Sequence, residues 1–165
     1  MTNDPDGLRA LSPDDIQQLQ KLLSTFIDEA GARCVLMLDR TGHLLVSVGD
    51  TPDFDETTFA SLAAADFAAS DQLAGLLGED EFTSLYHQGE AGSMYLADVA
   101  GHAILAAVFD HNTTLGMVRL KTRTVVPEVV ELLNELVGRP STPGQGLDAN
   151  WLSAAADEID RLFAG

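Results

Sequence analysis

Apolar residues first recur at helical spacing, at Ile16, Leu19, Leu22, Leu23, Phe26 and Ile27. Ahead of them, Ser12-Pro13-Asp14-Asp15 supplies an N-cap serine, a proline at the first helical position and acids in the electropositive first turn. Gly31 supplies a stop. The period then changes. Cys34 to Leu38 and His43 to Val48 read as two strands joined by the turn Asp39-Arg40-Thr41-Gly42.

An alanine-rich helix is predicted from Asp55 to Leu77, with no side that is polar along its whole length. At 100° per residue Leu62, Ala69, Leu73 and Leu76 share a stripe, which suits packing on a sheet. Ala60, Ala64, Phe67, Ala68, Asp71 and Gly75 fall on or near the opposite side. A solvent face normally carries Lys and Glu, so a face of small residues implies close approach by something to the helix backbone. Asp66 lands near the leucine stripe, where it needs a hydrogen-bond partner or a place at the margin.

Three further strands are predicted at Thr83–Gln88, Ser93–Val99 and His102–Phe109, punctuated by Gly89-Glu90-Ala91-Gly92 and Ala100-Gly101. The run from Ala103 to Phe109 is apolar throughout and is the expected central strand. From Thr113 the spacing is helical again to Val137, with Pro127 expected to kink the helix or mark a fresh start. Helix, two strands, helix, three strands and helix make an α/β sandwich, with a five-stranded, mostly antiparallel sheet and helices on both faces. Residues 1–12 form a tail, 13–137 the domain, 138–147 a Gly/Pro linker, and 148–165 a short acidic amphipathic helix. Trp151, Leu152, Ala155, Ile159, Leu162 and Phe163 give that last helix its apolar side. It is too short to be stable alone in water, so it docks either on its own domain or in a partner's groove.

Composition narrows the function. The net charge of −17 opposes binding to nucleic acid and to anionic lipid, which leaves proteins as partners. No apolar run is long enough to cross a bilayer and the first residues lack the pattern of a signal peptide, so a cytoplasmic location is expected. The single cysteine, Cys34, sits in an apolar run and reads as core. His43, His87, His102 and His111 are scattered without ligand spacing, so no metal is expected. No glycine-rich phosphate loop or nucleophile elbow is present, and the chain is expected to be no enzyme and to hold no cofactor. An arginine finger is hard to place; Arg40, in the first hairpin turn, is the most plausible exposed arginine by sequence.

The order of elements and several local strings resemble the Roadblock/dynein-light-chain family. They are Gly31-Ala32-Arg33 before a strand ending Leu38-Asp39-Arg40-Thr41-Gly42, Ala60-Ser61-Leu62-Ala63-Ala64, Gly75-Leu76-Leu77-Gly78-Glu79, His87-Gln88-Gly89-Glu90, Val108-Phe109-Asp110, and Thr114-Leu115-Gly116-Met117-Val118-Arg119-Leu120. The match spans about residues 14 to 137, and Asp157 to Phe163 also resembles the terminal helix of a bacterial branch. This resemblance implies a homodimer with paired alanine-rich helices and sheets joined edge to edge, its seam at Ala60, Ala64, Phe67 and Asp71. It implies a Ras-like GTPase of the MglA kind bound in its GTP state, at Ala68 and Gln72 and through Ile159, Leu162 and Phe163. Activation in such a complex holds the GTPase's own switch residues in place without an inserted arginine, and serves bacterial cell polarity or motility. The alternatives are a Roadblock scaffold that changes no hydrolysis rate, and a small-molecule sensor on a related sandwich.

Overall fold

The computed structural model describes residues 11–50, 53–137 and 161. The linker at 138–147 and the terminal helix at 148–165, with Trp151, Ile159, Leu162 and Phe163, lie outside the described residues apart from Arg161, as does the tail at 1–10.

The elements follow in the expected order: α1 (Pro13–Ala30), β1 (Cys34–Asp39), β2 (Leu44–Gly49), α2 (Glu56–Leu76), β3 (Ser84–Gln88), β4 (Ser93–Val99), β5 (Ala103–Phe109) and α3 (Leu115–Val137). The start of α1 is a full capping box: Asp15 N–H donates to Ser12 Oγ, and Ser12 N–H donates to the Asp15 carboxylate. Gly31 ends α1 in the left-handed conformation, its N–H donating to the Ile27 carbonyl.

The strands form one sheet in the order β2-β1-β5-β4-β3, with every neighbouring pair antiparallel. β5 is the central strand, as its unbroken apolar run requires, because both of its faces are covered. On one face α1 and α3 bring Leu19, Leu23, Phe26, Val118 and Val129 onto Val35, Met37, Leu105 and Ala107. On the other face α2 alone brings Ala60, Ala63, Ala64 and Phe67 onto Cys34, Leu36, Leu38, Leu96 and Ile104. Cys34 is thus a core residue, and burial pushes its thiol pKa up.

α3 continues as one helix through Pro127, so no fresh start occurs there. Pro127 and Arg123 are both exposed, so the carbonyl that loses its helical donor lies on the solvent side, where water satisfies it. The faces of α2 are also exchanged relative to the leucine-inward reading. Ala60, Ala64 and Phe67 are buried against the chain's own sheet, and the leucine stripe points outward. The cause is a close approach from within the chain. Gly42, at φ +94°, lies so near α2 that a Cβ there would stand 3.1 Å from Ser61 Cα and 3.6 Å from Ala64 Cβ. Only small side chains leave room for the β1–β2 turn, so the small face is the inner one.

Candidate partner-binding surface

With its small residues turned inward, α2 presents an outer face of unusual composition. Leu62, Leu73, Leu76 and Leu77 are 66%, 56%, 83% and 74% exposed, with the exposed Ala65, Ala68, Ala69 and Gln72 among them. Large aliphatic side chains aligned along one exposed helix face mark a protein-binding surface, because isolated leucines are common outside but contiguous rows are not. Sequence periodicity places Leu62, Leu73 and Leu76 in the core and so misses this surface. The signal that points to it is the Gly42 turn opposite Ala60 and Ala64, which decides which side goes in.

The expected site residues divide accordingly. Ala68 and Gln72 are exposed on the outer face of α2. Ala60, Ala64 and Phe67, expected at a dimer seam, are covered by the chain's own sheet. Asp71 is half-buried and turned to Arg40.

Two polar ties hold α2 in place. At its middle Asp66 meets His87 of edge strand β3, with Asp66 Oδ2 and His87 Nε2 2.6 Å apart. The partner that Asp66 needs is therefore this histidine. Towards its C-terminal half, Arg40 Nη1 donates to Asp71 Oδ2 at 3.3 Å, Arg40 Nη2 donates to Asp98 Oδ1, and the guanidinium lies 4.8 Å from the Phe67 ring centroid. Asp98 also accepts from Gly101 N–H in the β4–β5 turn, where Ala100 adopts a positive φ of 54°. One arginine thereby ties two hairpin turns to α2. Arg40 is correspondingly no free finger: it is engaged on both sides by carboxylates and covered by an aromatic ring.

The turn that carries Arg40 is itself ordered by Asp39. Asp39 Oδ1 accepts from Thr41 N–H at 2.9 Å, Thr41 Oγ1 at 2.7 Å and His43 N–H at 2.9 Å. Burial works to raise the Asp39 pKa, but the hydrogen bonds from His43 and Thr41 outweigh it and hold the carboxyl below its ordinary value. A folded pKa below the unfolded one means stabilisation that is present above the unfolded value and lost as pH falls through the folded value. Asp39→Asn is expected to lower stability at neutral pH by about 1–3 kcal/mol, and to flatten the loss of stability on acidification below the ordinary carboxylate range. Denaturant melts at neutral and acid pH check this; equal acid sensitivity in the two proteins would contradict it.

Among the described residues β3 is one of the two edges of the sheet, and its His87 is the residue that meets Asp66 of α2. Tyr86 on this strand is 37% exposed and stacks on Phe109 at 6.3 Å. The outer backbone groups of an edge strand can accept another strand. Among the described residues no three potential metal ligands cluster, and no helix is long and apolar enough to cross a membrane.

The Roadblock/LC7 domain family model matches residues 18–109, which extends from α1 to the end of β5. Among solved structures, MglB of Myxococcus xanthus is 31% identical, with a TM-score of 0.73 over 80% of this chain and 99% of that one. An MglB described as having a tetrameric arrangement is 32% identical, with a TM-score of 0.72 over 76% of this chain and 95% of that one. The gliding protein MglB of Thermus thermophilus is 32% identical, with a TM-score of 0.71 over the same shares of 76% and 95%. No curated protein matches the chain. With the family model across most of the sandwich and MglB structures aligned over nearly their full length, the chain belongs to the Roadblock/LC7 family and is MglB-like within it.

Proposed function

We propose that the protein is a homodimeric regulator of a small Ras-like GTPase of the MglA kind, and that it stimulates GTP hydrolysis in bacterial cell polarity or motility. The observation that carries this reading is the outward leucine stripe of α2, in an MglB-like chain whose sheet has β3 at one edge. Two copies meeting along these elements bury the leucines and pair the edges, leaving the paired helices as a platform with Ala68 and Gln72 at its surface. The platform is stiff because Arg40 and His87 tie α2 to strands β3 and β4 and to two hairpin turns.

Such a surface brings no catalytic group of its own to the nucleotide. Its acceleration comes from preferential affinity for the switch-ordered, GTP-bound state of the partner, which holds the GTPase's own residues in the hydrolytic arrangement. Engagement of Arg40 by Asp71 and Asp98 agrees with a mechanism that inserts no arginine. The terminal helix at 148–165, with Ile159, Leu162 and Phe163, provides a tethered second contact to the GTPase.

Single-turnover GTP hydrolysis by the Ras-like GTPase of the same organism tests the reading, with and without the full chain and with a chain ending at Val137. A rise of roughly tenfold or more is expected, which takes about 1.4 kcal/mol off the barrier, with part of it lost on truncation. Binding that is equal in the GDP and GTP states and leaves the rate unchanged would replace activation by a scaffold role.

A further inference from the structure

The face of the sheet opposite α2 carries a second surface, which the GTPase reading does not use. α1 and α3 lie side by side there, joined by the Lys121–Glu29 ion pair at 3.7 Å, and leave between them an open groove. Leu22 and Leu132 supply apolar lining, and Glu128, Glu131 and Glu135 of α3 outnumber Lys21 of α1. The groove therefore suits an occupant that is apolar and basic together. Among the described residues none of these four charged groups has an ion-pair partner, and neither has Arg123.

The charges of α3 are arranged against the preferences of a lone helix. From Leu115 to Pro127 it carries Arg119, Lys121 and Arg123 and no acid, whereas from Glu128 to Val137 it carries three glutamates and no base. The helix macrodipole favours the reverse order. Like charges also stand four positions apart, at Arg119 and Arg123 and again at Glu131 and Glu135, where they repel. The pattern has a centre. Arg123 and Glu131 lie four positions either side of Pro127, Arg119 and Glu135 eight, and all five residues are exposed. Opposite charges at equal distances from one point are what an antiparallel copy of the same helix complements, because a two-fold axis there sets each base against an acid. A spacing of four also follows the helix ridge through which two helices most commonly pack, at a crossing of about 50°. Arg119 lies 6.0 Å from the Tyr95 ring centroid, so Arg123 and Glu131 are the principal pair. Leu120, 57% exposed, gives the basic half its apolar surface.

We propose that a second copy of this chain docks on α3, antiparallel and about a two-fold axis at Pro127. The basic half of each α3 meets the acidic groove of the other copy, with Arg123 paired to the partner's Glu131 and Leu120 set towards the groove's leucines. The contact is independent of the GTPase reading. It also leaves the leucine stripe of α2 free, because α2 packs on the other face of the sheet, so it joins dimers that have formed along α2.

Sedimentation of the full chain over a range of concentrations and salt tests this. Exposed charge pairs are weak and screened, so the added association is expected at high protein concentration and low salt, and is lost at high salt. Arg123→Glu alone and Glu131→Arg alone each set like charges against each other across the axis, and each is expected to weaken the association roughly tenfold or more. An equal mixture of the two variants is expected to associate again, since the glutamates of one then face the arginines of the other. Damage to the fold cannot produce that recovery. Single reversals without effect, or a mixture that does not recover, would overturn the proposal and leave the groove to a different basic partner. Failure of the α2 seam reads differently: the wild-type chain then stops at a dimer, which the reversals split into monomers and Leu73→Arg does not.

Discussion

Phe67→Ala is expected to destabilise the protein by about 3–5 kcal/mol, on the order of a 10–20 °C drop in Tm for a domain of this size. Phe67 is fully buried between α2 and the sheet and is the largest fully buried side chain that α2 contributes to that side of the core. Its neighbours on the helix are alanines, which are too short to close the space left behind. The loss extends beyond packing. The Phe67 ring covers the Arg40 guanidinium at 4.8 Å, so its removal lets water reach the charges that join α2 to both hairpin turns. Thermal unfolding of the variant measures this; a shift of only a degree or two would mean that α2 is not held through this contact.

Leu73→Arg is expected to act in the opposite way, sparing the fold and breaking self-association. Leu73 is more than half exposed in the protomer, so an arginine there fits without disturbing the core. In a dimer paired along α2 it sits at the middle of the leucine row and faces its symmetry mate or a near neighbour, where a charge must be buried against apolar surface. Central apolar positions of this kind account for about 2–4 kcal/mol of binding, or roughly two orders of magnitude in the dimer Kd. Sedimentation over a range of concentrations, together with a melt showing an unchanged fold, separates the two effects. A variant that remains dimeric at the lowest measurable concentration would remove α2 from the interface. Because the proposed GTPase platform is made of both copies, acceleration of hydrolysis is expected to fall with dimerisation.

The two substitutions lie six residues apart on one helix and differ because of which side faces the sheet, and this is where the sequence is hardest to read. α1 is legible in detail. Its apolar residues repeat on one side, its polar ones on the other, and Ser12, Asp15 and Gly31 mark both ends. The hairpin turns are legible from glycine and short polar residues, and the central position of β5 from its unbroken apolar run. The family is legible from the order of short strings that the Roadblock/LC7 match then spans. α2 offers no such contrast. Alanines on one side and leucines on the other are both apolar, so the helix has almost no amphipathic direction, and hydrophobicity alone turns the larger leucines inward. Arg40 escapes a local reading for a related reason. A turn residue is exposed by default, and the carboxylates that engage it are 31 and 58 positions away.

The sequence by itself determined the elements, their order, the layered α/β class and the family, because each follows from local periodicity, caps and turn chemistry that a few consecutive residues encode. The tertiary structure alone decided which face of α2 is buried, what Arg40 holds, and where the exposed leucines lie. These depend on how closely distant segments approach. The Gly42 turn leaves room only for small side chains at α2, so packing volume, not hydrophobicity, chose the inner face and left the leucines exposed.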